Sequence, residues 1–253
     1  MNTVSLASAC RRVRAALRGL GRIASALSTA CLVLILLGGL ALVLRSYQPD
    51  GWRIENNPTG QYRGLEDIQH MLDEHPERLL VLDEAYAPFV DDRWRSEALL
   101  ERANLIILRS MTKDQALPGL RLGYLLAGPE VASAVERMRP PWSVNAGALR
   151  AGLAALEPAA EAHLLQAQAL VAQSRRVLTD RLTHLGFEVE PSRANFVLVQ
   201  VRDGRRFRRA LLPHGFVVRD CASFGLPDCV RIACRLPEDC QRVLEAVARV
   251  ACG

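Results

Sequence analysis

The stretch Asn-Leu-Ile-Ile-Leu-Arg-Ser-Met-Thr-Lys, residues 104–113, decides the fold of this chain. Its four consecutive aliphatic residues form a short apolar run, which is typical of a strand buried on both faces of a parallel sheet. The run is followed by Ser110, Thr112 and Lys113, which place two hydroxyls and an amine at the end of the strand. Ligand sites in open α/β sheets lie at the carboxyl ends of the strands, so this end is a candidate site.

Two further apolar runs predict the neighbouring strands. Residues 78–82 lead into Asp83, with Tyr86 close behind, and residues 122–127 follow Arg121. An amine can bond covalently to an aldehyde, an acid can keep a ring nitrogen protonated, and hydroxyls with an arginine can bind phosphate. Together these side chains suit a phosphorylated aromatic aldehyde.

The remaining periodicities predict an α/β chain with two regions. Helices are expected at residues 65–74, 130–138, 205–212 and 237–250, and two more on either side of Pro158 within 144–185. Strands are expected at residues 195–201, 216–219 and 229–234. We therefore predict a large domain over 56–185, with a mostly parallel sheet and flanking helices, and a small α+β domain over 186–253.

The composition makes one position a candidate for amine chemistry, although the scarcity of lysine is also what a biased genome composition produces. Lys113 is the only lysine among 32 basic residues. Arginine replaces lysine wherever charge alone is needed, but it cannot supply a primary amine for covalent chemistry.

The net charge of +5 is too small and too scattered to indicate nucleic-acid binding. The seven cysteines contain no C-x-x-C pair, and their irregular spacing predicts free thiols and no metal site.

Residues 1–55 differ in character from the rest of the chain. Ala26–Leu44 is an uncharged stretch of 19 residues preceded by an arginine-rich segment, and its length approaches that of a membrane-spanning helix. Two interpretations stay open. The stretch is an apolar helix that anchors the chain in a membrane, or residues 1–55 are a non-native beginning of the reading frame.

Four short motifs occur in order along the chain. They are Asn-Asn-Pro-Thr-Gly at 56–60, Asp-Glu-Ala-Tyr at 83–86, Ser-Met-Thr-Lys at 110–113 and Gly-Leu-Arg-Leu-Gly-Tyr at 119–124. In order and spacing they resemble the fold-type I aminotransferases of class I/II, which depend on pyridoxal 5'-phosphate. The chain is most similar to the histidinol-phosphate aminotransferases and the related threonine-phosphate decarboxylases, on the basis of residues 140–145, 194–196, 218–221 and 230–233.

The resemblance implies a role for each motif residue. Lys113 would form the Schiff base with pyridoxal 5'-phosphate and carry protons during the reaction. The other implied contacts are Asn57 and Tyr86 with the ring hydroxyl, Asp83 with the pyridine nitrogen, Ser110, Thr112 and Arg121 with the cofactor phosphate, Arg231 with a substrate carboxylate, Arg219 with a substrate phosphate, and Asn195 with the substrate.

The resemblance also implies a function and its alternatives. The expected reaction is transamination between a phosphate-bearing amino compound and a 2-oxo acid, in a cytoplasmic homodimer. The family carries a large portion ahead of the Asn-Pro-Thr-Gly turn that residues 1–55 do not resemble, so we expect impaired activity. The alternatives are decarboxylation of threonine phosphate and an inactive, membrane-tethered or degenerate remnant.

Overall fold

The computed structural model describes residues 53–55 and 59–252 of the chain. Asn57 and the apolar segment 26–44 lie outside the described residues. The chain divides into two compact units, which are described separately. The first contains Gly64–Ala85 and Trp94–His163, and the second contains Glu55–Arg63, Tyr86–Arg93 and the chain from Leu164 onward.

The first unit is built on a four-stranded sheet in the order β1-β2-β3-β4. Its elements are β1 (Arg53–Glu55), α1 (Leu65–Glu74), β2 (Leu80–Asp83), β3 (Leu105–Ser110), β4 (Gly123–Ala127), α2 (Pro129–Met138) and α3 (Ala146–Ala154). The predicted helix 65–74 matches α1, and the three predicted strands match β2, β3 and β4 to within two residues.

The sheet of the first unit is less parallel than expected. Strands β2 and β3 run parallel, but β4 runs antiparallel to β3. A parallel connection needs a long crossover, usually through an α-helix. The connection between β3 and β4 contains a single turn of 3-10 helix, Pro118–Leu120, so the chain returns alongside β3 in the opposite direction.

The second unit is built on an antiparallel sheet in the order β5-β6-β8-β7. The long helix α4 (Pro158–His184) leads into it, and its elements are β5 (Val189–Glu190), β6 (Phe196–Gln200), α5 (Gly204–Leu211), β7 (Arg219–Cys221), β8 (Leu226–Ala233) and α6 (Pro237–Cys252). Leu178 and Leu182 of α4 pack with Val197, Val199, Val230 and Val247 in one apolar core.

One predicted strand of this unit is wrong. Residues 216–219 were expected to form a strand, but β7 begins only at Arg219. The Phe216 amide instead donates to the Leu211 carbonyl (3.2 Å), after Gly215 turns the chain at a φ of 83°. These residues close the end of the preceding helix, because the carbonyls of its last turn need donors.

No helix within residues 59–252 has both the length and the apolar character needed to cross a bilayer.

Candidate functional site

Lys113 lies at the carboxyl end of β3 beside two hydroxyls. Its Nζ is 3.4 Å from Thr112 Oγ1, and Thr112 Oγ1 is 2.7 Å from Ser110 Oγ. The Thr112 amide also donates to Ser110 Oγ (3.2 Å), so the turn after the strand is held by its own side chains. The structure thus brings the predicted amine and both predicted hydroxyls into one half-buried group.

The turn that carries Lys113 is anchored through the residue between the hydroxyls. Met111 is buried with Leu122 and Ala148, and its amide donates to the Leu122 carbonyl (3.1 Å). Helix α3 comes so close here that a Cβ at Gly152 would lie 2.6 Å from Leu122 Cδ2. Asn145 caps this helix by accepting the Ala148 amide (2.8 Å).

The two faces of the first sheet carry different side chains. One face contains Val81, Ile106 and Leu125, packed against Val131 and Val135 of α2. Because side chains alternate along a strand, Asp83 and Ser110 belong to this same face. The predicted acid and the first predicted hydroxyl therefore stand on one face, at the ends of neighbouring parallel strands.

Asp83 is held in place by a local turn. Its Oδ1 accepts the amide of Ala85 (2.9 Å), and the side chain is half-buried. This hydrogen bond is the strand-end cap that an aspartate at this position commonly forms. The bond uses one of the two carboxylate oxygens, and the predicted contact of Asp83 with a ring nitrogen stays a prediction.

The opposite face ends in an ion-pair network that the sequence analysis missed. Arg109 Nε donates to Glu84 Oε2 (2.8 Å), NH1 to Glu97 Oε1 (2.8 Å) and NH2 to Ser96 Oγ (3.0 Å). Glu84 is 3% exposed, and among the described residues its Oε1 has no hydrogen-bond partner. The sequence did contain a clue to this network. Arg109 directly follows one buried apolar run, and Glu84 lies just beyond another, and such charged residues need partners.

Burial and pairing act in opposite directions on this arginine. Burial alone would lower the pKa of Arg109, but the hydrogen bond to Glu97 and the charge of Glu84 raise it above its ordinary value. For the Tyr124 hydroxyl, burial raises the pKa, and the neighbouring Arg109 partly opposes that rise. Arg109 and Tyr124 are paired residues on β3 and β4. The raised pKa keeps the Arg109 guanidinium charged at neutral pH.

Arg121 lies in a turn, and its side chain contacts the backbone of that same turn. It has a φ of 54°, in the left-handed region that a bulky side chain seldom adopts. Its NH1 donates to the Pro118 carbonyl (3.2 Å), and the residue is exposed. The predicted contact of Arg121 with a phosphate stays a prediction.

In the second unit, Tyr86 and Arg231 share one aromatic neighbour. The Tyr86 ring meets Phe196 edge-on, with centroids 5.3 Å apart and an angle of 84° between the rings. The guanidinium of Arg231 lies over Phe196 at 4.4 Å and over Phe224 at 4.8 Å. Phe196 thus positions two of the predicted site residues by ring contacts.

Arg219 joins the same group through the strand pairing. It is the Cα partner of Arg231 across β7 and β8, and its guanidinium lies 5.3 Å from the Phe224 ring centroid. Arg219 NH2 also donates to Ser223 Oγ (2.9 Å). Like charges opposite one another in a sheet repel, so this pair suits an anion. Asn195 directly precedes Phe196 in the chain and is half-buried, and its carbonyl accepts the Cys234 amide (2.9 Å).

The chain is similar in sequence and in structure to proteins of one known family. Residues 55–247 match the family Aminotransferase class I and II. The chain is 39% identical over 201 residues to a histidinol-phosphate aminotransferase of Anaeromyxobacter sp., covering 77% of this chain and 55% of that relative. It also resembles the structure of a histidinol-phosphate aminotransferase from Sinorhizobium meliloti in complex with pyridoxal-5'-phosphate, at 27% identity and a TM-score of 0.72 over 84% of this chain and 60% of that one.

A second enzyme class appears among the structural neighbours. The L-threonine-O-3-phosphate decarboxylase from Porphyromonas gingivalis is 28% identical, with a TM-score of 0.68, over 78% of this chain and 62% of that one. The chain spans 55% and 51% of the lengths of the curated relatives from Anaeromyxobacter sp. and Thiobacillus denitrificans.

Proposed function

The chain belongs to the class I and II aminotransferase family, and on that premise we propose that it serves in transamination of a phosphate-bearing amino compound, with pyridoxal 5'-phosphate as cofactor and a 2-oxo acid as amino-group acceptor. The carrying observation is the group formed by Lys113, Thr112 and Ser110 at the end of β3, with Nζ 3.4 Å from Thr112 Oγ1. It sits beside the end of β2, where Asp83 lies on the same sheet face as Ser110.

The donor set in the first unit fits the proposed cofactor. The Lys113 amine suits the aldehyde, the Asp83 carboxylate suits the ring nitrogen, and the two hydroxyls suit the phosphate. When bound, pyridoxal phosphate supplies an electron sink for the bonds at the substrate α-carbon. The resemblance adds Asn57, Tyr86 and Arg121 to this set as proposed contacts.

The chain's own residues would handle the proton and the substrate anions. In its uncharged form, Lys113 Nζ could accept a proton from the substrate α-carbon and deliver it to the aldehyde carbon of the cofactor. Asp83, held by its turn, would keep a positive charge on the ring nitrogen. Arg231 would bind a carboxylate and Arg219 a phosphate, with Asn195 as a further substrate contact. Arg219 and Arg231 are strand partners, so they would present both cations to a substrate that carries two anionic groups.

The cofactor proposal is tested on the purified full chain. Incubation with pyridoxal phosphate, reduction with borohydride and peptide mass spectrometry should place a pyridoxyl group on Lys113. Lys113→Arg, which keeps the charge but not the amine, should carry no such group. Because Lys113 is the only lysine, the N-terminal amine is the internal reference. Labelling of the two amines at the same level, or no label at all, would refute the proposed role.

The substrate class is tested by two parallel assays. With histidinol phosphate and 2-oxoglutarate, we expect amino-group transfer at a rate above that of Lys113→Arg. With threonine phosphate, release of carbon dioxide would instead support the decarboxylase reaction suggested by the Porphyromonas gingivalis neighbour. The names of the curated relatives favour the first outcome.

A further inference from the structure

Arg109 is a half-buried cation with several partners in the first unit. Its side chain is 15% exposed, and its three nitrogens donate to Glu84, Glu97 and Ser96. These partners lie on different segments: Glu84 follows β2, and Ser96 with Glu97 belongs to the 3-10 helix Ser96–Leu99. One planar group therefore ties three segments together.

The network sits directly behind the proposed cofactor residues. Glu84 adjoins Asp83 and Arg109 adjoins Ser110, but alternation of side chains puts each member of a pair on the opposite sheet face. The Glu84 amide also donates to the Leu108 carbonyl (2.8 Å), which continues the β2–β3 ladder past Asp83. The contacts of Arg109 thus set where these two strands end relative to each other.

We propose that Arg109 is a positioning residue, which locks the ends of β2 and β3 from the rear face so that Asp83 and Lys113 stand at a fixed separation. The proposal rests on the proposed function, because it names these two residues as the groups that hold opposite ends of the cofactor. Lys113 follows β3 by only three residues, and its turn is fixed by the Thr112 amide bond to Ser110 Oγ. A shift of the strand end would therefore carry the amine with it.

Geometry, and not charge alone, is what the network requires. Arginine presents a rigid fork of donors, whereas lysine presents one compact ammonium group on a flexible stem. A lysine at position 109 could keep one ion pair, but it could not donate to Glu84, Glu97 and Ser96 in the observed arrangement. Arg109→Lys should therefore preserve the charge and lose the positioning.

The test compares Arg109→Lys and Arg109→Met with the wild-type chain and with Arg102→Met. Arg102 is the matched control, because it forms an ion pair with Asp73 (2.6 Å) in the same unit at 43% exposure. The first readout is hydrogen exchange at the Ala85, Met111 and Thr112 amides, divided by exchange at Ile106 and Ile107 in the core of β3. This ratio separates opening of the strand ends from unfolding of the whole unit.

We expect the ratio to rise on the order of tenfold in Arg109→Lys, and further in Arg109→Met, because a buried partner is left unpaired. Arg102→Met should leave it unchanged. A purely stabilising role would speed exchange equally at the strand ends and at the core, with no change in the ratio. An unchanged ratio in Arg109→Lys overturns the proposal, even if Arg109→Met does not fold.

The second readout is the initial rate at which pyridoxal phosphate becomes attached to Lys113 in the same four proteins. This rate should fall in both Arg109 variants and not in Arg102→Met. If the wild-type chain takes no label, the proposed cofactor role fails, while the exchange ratio still decides whether Arg109 holds the strand ends. A raised ratio together with an unchanged labelling rate would overturn the link between the network and Lys113.

Discussion

Arg219 and Arg231 lie opposite one another as Cα partners on the antiparallel strands β7 and β8. Two guanidinium groups at such a position repel, and an anion between them relieves the repulsion. Both are steadied by the Phe224 ring, at 5.3 and 4.8 Å. The second unit therefore holds two arginine side chains in a fixed arrangement that favours binding of an anion.

This pair predicts stabilisation by inorganic phosphate. A ligand that binds only the folded state raises the unfolding temperature, and the rise increases with the ligand concentration. We expect phosphate to raise the thermal midpoint of the wild-type chain, and to raise it less in Arg219→Met and Arg231→Met. Arg249→Met, which removes an exposed arginine of α6, is the control. An equal phosphate effect in all four proteins would argue against an anion site at this pair.

The hydroxyl of Thr112 is predicted to contribute to retention of pyridoxal phosphate. Thr112→Val keeps the shape of this buried side chain but removes the group 2.7 Å from Ser110 Oγ. We expect about tenfold weaker retention, measured by equilibrium dialysis, since the lost hydrogen bond involves a charged ligand. Thr183→Val, at an exposed position of α4, should retain the cofactor like the wild type.

Close approach of two strands makes Gly123 sensitive to substitution. A Cβ there would lie 2.8 Å from the backbone carbonyl oxygen of Arg109, which cannot move without disturbing β3. We expect Gly123→Ala to lower the free energy of unfolding by about 1–3 kcal/mol, the usual range for overpacking. At Gly128 an added Cβ meets nothing within 4 Å, so Gly128→Ala should be tolerated in the same denaturation experiment.

Arg175 is predicted to be a main polar anchor of the second unit. Its NH1 donates to the carbonyls of Arg193 (3.1 Å) and Ala194 (2.9 Å), and its side chain is 12% exposed. Arg175→Met should lower the free energy of unfolding by about 1.5–3 kcal/mol, as for hydrogen bonds to a charged group. The adjacent Arg176 is exposed, so urea denaturation of Arg176→Met should match the wild type within error.

Two cysteines, the buried Cys229 and the half-buried Cys234, predict a loss of stability at high pH. Burial raises the pKa of Cys229 to about 11 and that of Cys234 to about 12, from an ordinary value of 9.0. Above pH 9 the unfolded chain loses these protons while the folded chain keeps them, so the folded state binds more protons and its stability falls as pH rises. The fall should begin near pH 9 and continue to the folded pKa values.

Urea denaturation at pH 8 and pH 10.5 measures this effect. Replacing both thiols, as Cys229→Ala with Cys234→Ala, should reduce the difference in unfolding free energy between the two pH values. The same difference in the double variant would show that other groups cause the loss.

The sequence alone was enough to predict the helices and strands whose formation depends on residues close together in the chain. The apolar runs became β2, β3 and β4, and the amphipathic period of 65–74 became α1 with the predicted bounds. Ser110, Thr112 and Lys113 were found together because only three positions separate them. Their grouping needs no more than one strand end and the turn that follows it.

Contacts between distant segments were decided by the tertiary structure. Arg109 meets Glu84 across 25 positions and Glu97 across 12, and many arginines in the sequence were equal candidates for such a pairing. The antiparallel direction of β4 and the irregular pairing near Cys221, which accompanies the alignment of Arg219 with Arg231, also arise from strand packing. The sequence by itself determined which residues are candidates for the chemistry, because motif and periodicity are local properties. Only the tertiary structure decided which charges face one another, because strand register and burial depend on the whole sheet.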